Sequence, residues 1–258
     1  MSANRFTFGV GRLHHLSIVR DRQNVITVAF DEGFRSFDIA PAYGNGINEL
    51  EVGIALRGKR TECEINTKFG IPVNIYGSWA RYLFMVRKLA DKVSGHSANA
   101  YQDRNFSAKE LETSLDGSLG RLRTDYIDTF FVHEPILKMT QNQLDEIFEC
   151  SERMKSKGKI KTIGIAGTLE SIRNCPSVEI FDVIQIPFVD FNNADMKMWH
   201  QKVILYGAYQ AYKAGACTDG FARFVNKSMT IHPELNVIVS STSIQTIDTF
   251  SELFNENN

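Results

Sequence analysis

The sequence predicts a single-domain (β/α)₈ barrel, a TIM barrel, spanning residues 1–258. Three observations carry this reading. Short apolar runs alternate with amphipathic stretches, the length of 258 residues is near the ~250 typical of such barrels, and no linker or composition shift marks a second domain. The candidate strands are Phe6 to Gly11, Arg35 to Ala40, Cys63 to Phe69, Tyr126 to His133, Lys161 to Ala166, Asp182 to Phe188, Lys202 to Ala208 and Leu235 to Ser241. Each is rich in β-branched or aromatic residues. Helical patterns fill the gaps. From Ser107 to Leu122, Ser107 and Glu110 make a capping-box pattern, and Leu111, Leu115, Leu119 and Leu122 recur at helical spacing. From Thr140 to Lys157, Leu144, Ile147, Phe148 and Met154 share a face, and Gly158 is placed to end the helix. Strands alternating with helices imply parallel βαβ units, in a closed barrel or an open doubly wound sheet. The strand count favours closure. The long connection from Ile71 to Phe106 carries Tyr76, Trp79, Tyr82, Phe84 and Tyr101, and a connection of that length is usually functional or disordered. Its stretch from Trp79 to Val93 is compatible with helix.

Composition narrows the function. Lysine plus arginine number 29 against 30 aspartate plus glutamate, so no global field favours nucleic acid or an anionic membrane. A small molecule is the expected partner. Cys63, Cys150, Cys175 and Cys217 are widely spaced and form no CxxC, which argues against a zinc site and a disulfide framework. Reduced, buried thiols are expected. The amino-terminal MSANRFTFGVG lacks the pattern of a signal peptide, and no apolar run approaches the ~20 residues that span a bilayer. Cytoplasmic residence is the default expectation. His14, His15, His96, His200 and His232 show no metal-ligand spacing, so no metal is expected. The absence of GxGxxG and of a P-loop leaves a Rossmann site or phosphoryl transfer without motif support. The sequence specifies neither the individual substrate nor an oligomeric state.

The chemistry concentrates at predicted strand ends. Asp38 ends one strand, and a turn of Pro, Gly and Asn residues then presents Tyr43. Lys68 ends the next strand in INTKFG, and His133 the one after it in FFVHEP. Adjacent strands of a parallel barrel lie ~4.8 Å apart with active sites at their carboxyl ends, so these side chains converge on one mouth. A tyrosine is a poor acid at neutral pH, and a neighbouring ammonium assists it by favouring the phenolate. Lys68 supplies that charge, Asp38 holds it, and His133 is suited to bond a substrate oxygen. Such a set fits proton transfer at a carbonyl or carbinol whose carbon exchanges hydride with a nicotinamide.

These motifs resemble the aldo-keto reductase family. Its FDTA-x-x-YG pattern stands as Phe37-Asp38-Ile39-Ala40-Pro41-Ala42-Tyr43-Gly44, and its TK and H-x-P patterns as Thr67-Lys68 and His133-Glu134-Pro135. The likeness runs from FGVGRLHHL through SLGRLRTDYIDTFFVHEP and GKIKTIGIAG to VIVSST. It implies NAD(P)(H)-dependent interconversion of a carbonyl (aldehyde, ketone or sugar) and an alcohol, with Asp38, Tyr43, Lys68 and His133 catalytic. A barrel kept for binding or regulation after loss of turnover is the alternative. The resemblance assigns cofactor contacts to Gly11, Asp38, Gln185, Tyr206, Ser240 and Ser241, and substrate contacts to Leu13, Trp79 and His133. Two departures concern the cofactor. Ala166-Gly167 replaces the family's Ser-Asn after the fifth strand, and Ser240-Ser241-Thr242-Ser243 carries no basic residue for a 2′-phosphate. NADP(H) with a small preference over NAD(H) is the resulting expectation, with Lys227 a possible distant phosphate contact. The segment from Ile71 to Phe106 is expected to wall a comparatively open pocket.

Overall fold

Eight parallel strands pair in sequence order and close on themselves, β1 bonding both β2 and β8. The computed structural model describes residues 5–73, 81–83, 86, 104–135, 139–193, 200–215, 220–231 and 235–250. The strands are β1 (Phe6–Gly9), β2 (Ser36–Asp38), β3 (Glu64–Phe69), β4 (Ile127–His133), β5 (Ile160–Ala166), β6 (Val183–Pro187), β7 (Lys202–Tyr206) and β8 (Asn236–Val239). Most are shorter than the apolar runs that predict them. Of the residues trimmed from the carboxyl ends of β1, β7 and β8, Gly11, Gly207, Ala208 and Ser240 line the barrel mouth. Val10 and Ile39 still donate to Asp38 O at 3.0 Å and Asn66 O at 2.9 Å, so the hydrogen-bond ladder fades gradually.

Alternation sorts the strand residues into two environments. One set faces the helices and forms the main core, with Phe8, Phe37, Ile65, Phe130, Ile163, Ile184, Leu205 and Val237 all buried. Burying one such side chain stabilises the fold by roughly 1.5–3 kcal/mol. The other set fills the barrel, where Phe131, Ala166, Val183, Ile204 and Ile238 form a small apolar plug. Below it Thr7 and Asn66 donate to Ser36 Oγ at 3.0 and 3.4 Å. Gly164 belongs to the plug's geometry, since a Cβ there would lie 2.5 Å from the Phe131 ring.

The helices are α1 (Val19–Asp31), α2 (Ile47–Ala55), α3 (Ala108–Leu122), α4 (Gln141–Ser156), α5 (Leu169–Arg173), α6 (Ala208–Ala214), α7 (Phe221–Ile231) and α8 (Ile244–Thr249). Both helices picked out in the sequence start where it places them. Ser107 Oγ accepts from Glu110 N at 3.3 Å, and Thr140 with Gln143 makes a full capping box. Two buried carboxylates lock α2 in place. Glu49 accepts from Thr67 Oγ1 at 2.7 Å and Arg121 Nε at 2.6 Å. Glu51 accepts from Gln23 at 2.9 Å and from Arg81 Nε at 3.0 Å. Because α2 follows the Tyr43 turn and Thr67 precedes Lys68, the Glu49 contacts fix two parts of the site relative to one another.

Candidate active site

An open cleft with a cavity volume of about 190 Å³ lies at the carboxyl ends of the strands, lined by Asp38, Tyr43, Lys68 and His133 together with Gly11, Gln185, Tyr206 and Ser240. Register explains the meeting. Asp38 pairs across the ladder with Asn66, Lys68 with Phe131, and His133 with Ala166, so strand ends staggered in sequence reach one level. Lys68 Nζ donates to both Asp38 oxygens at 2.7 Å and to Ile39 O at 3.0 Å. Gln185 Nε2 donates to Asp38 Oδ1 at 3.0 Å from the far side of the barrel. All three side chains are buried, and a buried ion pair is tolerated when further hydrogen bonds satisfy its atoms.

Tyr43 arrives from the turn after β2, which Tyr43 N closes by donating to Ala40 O at 3.0 Å. Gly44, Asn45 and Gly46 follow with φ of 66°, 55° and 85°, the left-handed region where glycine is least strained. At Gly44 space matters as well, because a Cβ would lie 2.6 Å from His14 Cβ. Lys68 Nζ sits 5.5 Å from the Tyr43 ring centroid. The His133 ring meets the Tyr43 ring edge-on, at 5.9 Å and 88°.

Electrostatics distinguish the groups around the cleft. Burial, then the charges of Lys68 and Arg104, holds the His133 imidazole well below its ordinary pKa, so the ring is neutral near pH 7. Among the described residues its nitrogens make no hydrogen bond, which leaves them open to a ligand. Tyr206 is the second tyrosine of the cleft wall. Burial, with the carboxylates of Glu134 and Asp190, pushes its phenol up to about 12, so it stays protonated. Glu134 has φ 46° and pairs with Arg104 at 3.2 Å.

Two sequence expectations come out differently, and a third lies largely outside the described residues. Leu13 is 1% exposed within the core and does not line the cleft, because a short 3₁₀ turn over Leu13–His15 rolls it inward. Ser241 is likewise absent from the lining. Its hydroxyl accepts from Ser243 N at 3.0 Å and donates to Ser243 O at 3.2 Å, a local turn that leads into α8. Of the long connection, the described Arg81 is bound to Glu51 and gives its carbonyl to Arg22 NH1 at 3.0 Å. No described residue of that connection lines the cleft, and Trp79 lies outside the described residues. At Gly167 a Cβ would sit 2.6 Å from the rotatable Ser171 Oγ and 3.2 Å from Pro135 Cδ, so the position is crowded but closed to a side chain only while Ser171 keeps its rotamer. Sequence reasoning overlooked Arg12 and Glu134, which line the cleft. It also passed over Asn48, whose Nδ2 donates to Val10 O at 2.8 Å and secures the strand end beside Tyr43. Each adjoins a motif residue, which was the available signal.

Among the described residues no group of His, Cys, Asp or Glu is arranged to hold a metal, and no helix is long and apolar enough to cross a membrane. Cys63 and Cys150 are buried free thiols, and burial raises the pKa of both.

Known proteins resemble this chain in sequence and in fold. The chain is 28% identical over 166 residues to an aldo-keto reductase of Bacillus subtilis, covering 63% of this chain and 42% of that protein. It is 29% identical over 173 residues to an NADH-specific methylglyoxal reductase of Escherichia coli, covering 65% and 49%. The matched stretches therefore span less than half the length of these relatives. Among solved structures, a glycerol dehydrogenase from Gluconobacter oxydans superposes with a TM-score of 0.72 at 17% identity, covering 97% of this chain and 86% of that one. An aldo/keto reductase from Klebsiella pneumoniae in complex with NADP and acetate superposes at 0.65 and 17%, covering 96% and 85%. These likenesses show a shared fold. The sequence model of the Aldo/keto reductase family matches residues 7–257, and the chain belongs to that family.

Proposed function

We propose that the protein is an NAD(P)(H)-dependent oxidoreductase that interconverts a carbonyl (aldehyde, ketone or sugar) and an alcohol, with Tyr43 as general acid and base. The observation that carries this is Lys68, held between both oxygens of Asp38 at 2.7 Å while its ammonium stands 5.5 Å from the Tyr43 ring. A fixed cation beside a phenol stabilises the phenolate as the proton leaves. Tyr206 lacks such a partner and faces carboxylates instead, which singles out Tyr43 of the two. In the reductive direction Tyr43 gives its proton to the substrate oxygen. Asp38 holds and aims the Lys68 ammonium through two hydrogen bonds, and neutral His133 hydrogen-bonds the same substrate oxygen. In oxidation Tyr43 accepts the proton.

The cleft suits a nicotinamide cofactor, which when bound supplies or accepts the hydride at the substrate carbon. Gln185 commits its side-chain nitrogen to Asp38, and its side chain makes no other hydrogen bond among the described residues, so Oε1 is available to accept from a carboxamide NH₂. Tyr206 offers a half-buried ring, Gly11 a strand end without a side chain, and Ser240 an exposed hydroxyl. NADP(H) is the expected cofactor, in line with the NADP-bound Klebsiella neighbour. NAD(H) use is supported by the NADH-specific relative.

The test is oxidation of NADPH and NADH against a panel of aldehydes, with fluorescence titration of cofactor binding alongside. Tyr43→Phe should lower turnover at least ~10²-fold and change cofactor affinity by no more than about threefold. Wild-type turnover in that variant would overturn the mechanism. Cofactor binding without turnover on any carbonyl would favour a binding or regulatory barrel.

A further inference from the structure

We propose that Arg12 is an anion-recognition residue and that the preferred substrate is a carbonyl compound bearing a carboxylate. The proposal rests on the carbonyl-reducing reading above and adds the substrate class. Arg12 follows Gly11, which lies beside the Tyr43 ring, a Cβ there meeting the ring in ordinary contact at 3.6 Å. Its side chain is exposed and lines the same cleft as Tyr43 and His133. It caps nothing in the 3₁₀ turn that follows, and among the described residues it makes no side-chain hydrogen bond or ion pair.

The charges around the cleft make that guanidinium distinctive. Asp38 neutralises Lys68, and Arg104 neutralises Glu134. His133 carries no charge near pH 7. Arg12 is therefore the unpaired formal charge among the described lining residues, at the rim next to the proton donor. A planar guanidinium matches a carboxylate through two parallel hydrogen bonds. Its open setting means that water screens the contact, so the effect belongs at the lower end of charge-assisted bonds.

The experiment compares 4-carboxybenzaldehyde with its neutral near-isostere 4-nitrobenzaldehyde in wild type, Arg12→Gln and Arg12→Lys. Arg12→Gln should lower the ratio of kcat/KM for the carboxylate over the nitro compound about tenfold, chiefly through KM. Arg12→Lys should lose less. A second arm measures benzoate and benzamide binding to the cofactor-free protein by ligand-observed NMR. There the substitution should weaken benzoate selectively, a result independent of turnover and hence of the carbonyl-reducing reading. An unchanged kcat/KM ratio, or equal loss of benzoate and benzamide, would overturn the proposal. Weaker binding of NADP⁺ and NAD⁺ with benzoate unaffected would overturn it too, by assigning the guanidinium to a cofactor phosphate.

Discussion

Replacing Asp38 by asparagine tests the electrostatic centre of the site. The carboxylate is 6% exposed and Lys68 1%, so water can compensate little for a lost partner. Oδ1 accepts from Lys68 and Gln185 at 2.7 and 3.0 Å, and Oδ2 accepts from Lys68 at 2.7 Å. Asparagine keeps one acceptor and turns the other into a donor facing an ammonium or an amide. Lys68 is then left with Ile39 O and at most one neutral oxygen. Breaking a buried pair costs about 3–5 kcal/mol, and the retained oxygen puts Asp38→Asn near the lower limit. At about 2–4 °C per kcal/mol for a chain of this size, the melting temperature should fall by roughly 6–12 °C. Lys68→Met should cost a similar amount, because it strands the carboxylate with a single amide donor. The double variant removes both charges and should be well short of the sum of the two losses, a coupling that urea denaturation of all four proteins measures. Additive losses, or an Asp38→Asn variant within about 1 kcal/mol of wild type, would refute the assignment of this pair as a coupled unit.

His133 gives the fold a pH dependence. The native ring resists a proton that the unfolded chain accepts below about pH 6.5, so stability falls as the pH drops through that value, by at most about 1.4 kcal/mol per pH unit. Urea melts between about pH 5 and 7.5 should show a shallower slope for His133→Gln, and equal slopes would dismiss the effect. Gly164→Ala should destabilise by roughly 1–3 kcal/mol, since the new methyl meets the Phe131 ring at 2.5 Å and Val183 O at 3.0 Å. Adding Phe131→Leu should recover part of the loss, and a Gly164→Ala variant as stable as wild type would contradict the packing account. For the cofactor, dissociation constants should favour NADP(H) over NAD(H) modestly, because the absent basic contact forfeits about 1.5–3 kcal/mol, or roughly ten- to a hundredfold. A preference near a thousandfold for either would refute this, and if NADP(H) won by that margin, the exposed Lys227 would be the first side chain to replace.

The barrel was legible in the sequence because each strand carries its own local signal, a short run rich in β-branched and aromatic residues set between helical patterns. The candidate catalytic set was legible for a related reason. Asp38, Lys68 and His133 end consecutive strands, and a parallel barrel carries consecutive ends to one mouth. Contacts that exist only after closure were hidden. Gln185 and Asp38 are 147 residues apart, and the sequence places each at a strand end without showing that they bond. Likewise, the sequence at Gly167 does not show that Pro135 and Ser171 crowd the space of its absent side chain.

The exchange of Leu13 for Arg12 has a different origin, in parity. Along β1 the odd residues Thr7 and Gly9 belong to the barrel interior, while Phe6 and Phe8 join the helix-facing core. Gly11 continues that count into the cleft. Extended by the strand's period of two, the same count carries Leu13 to the cleft as well. The chain changes period first. Leu13 N donates to Val10 O at 3.2 Å and His15 N to Arg12 O at 3.0 Å, so successive side chains now turn by about 120° instead of 180°. One residue of altered period swings Leu13 beneath the turn and brings Arg12 to the rim. The apolar contact that the family resemblance assigned to Leu13 thus gives way to a charged side chain at the rim, the one on which the proposed preference for a carboxylate rests.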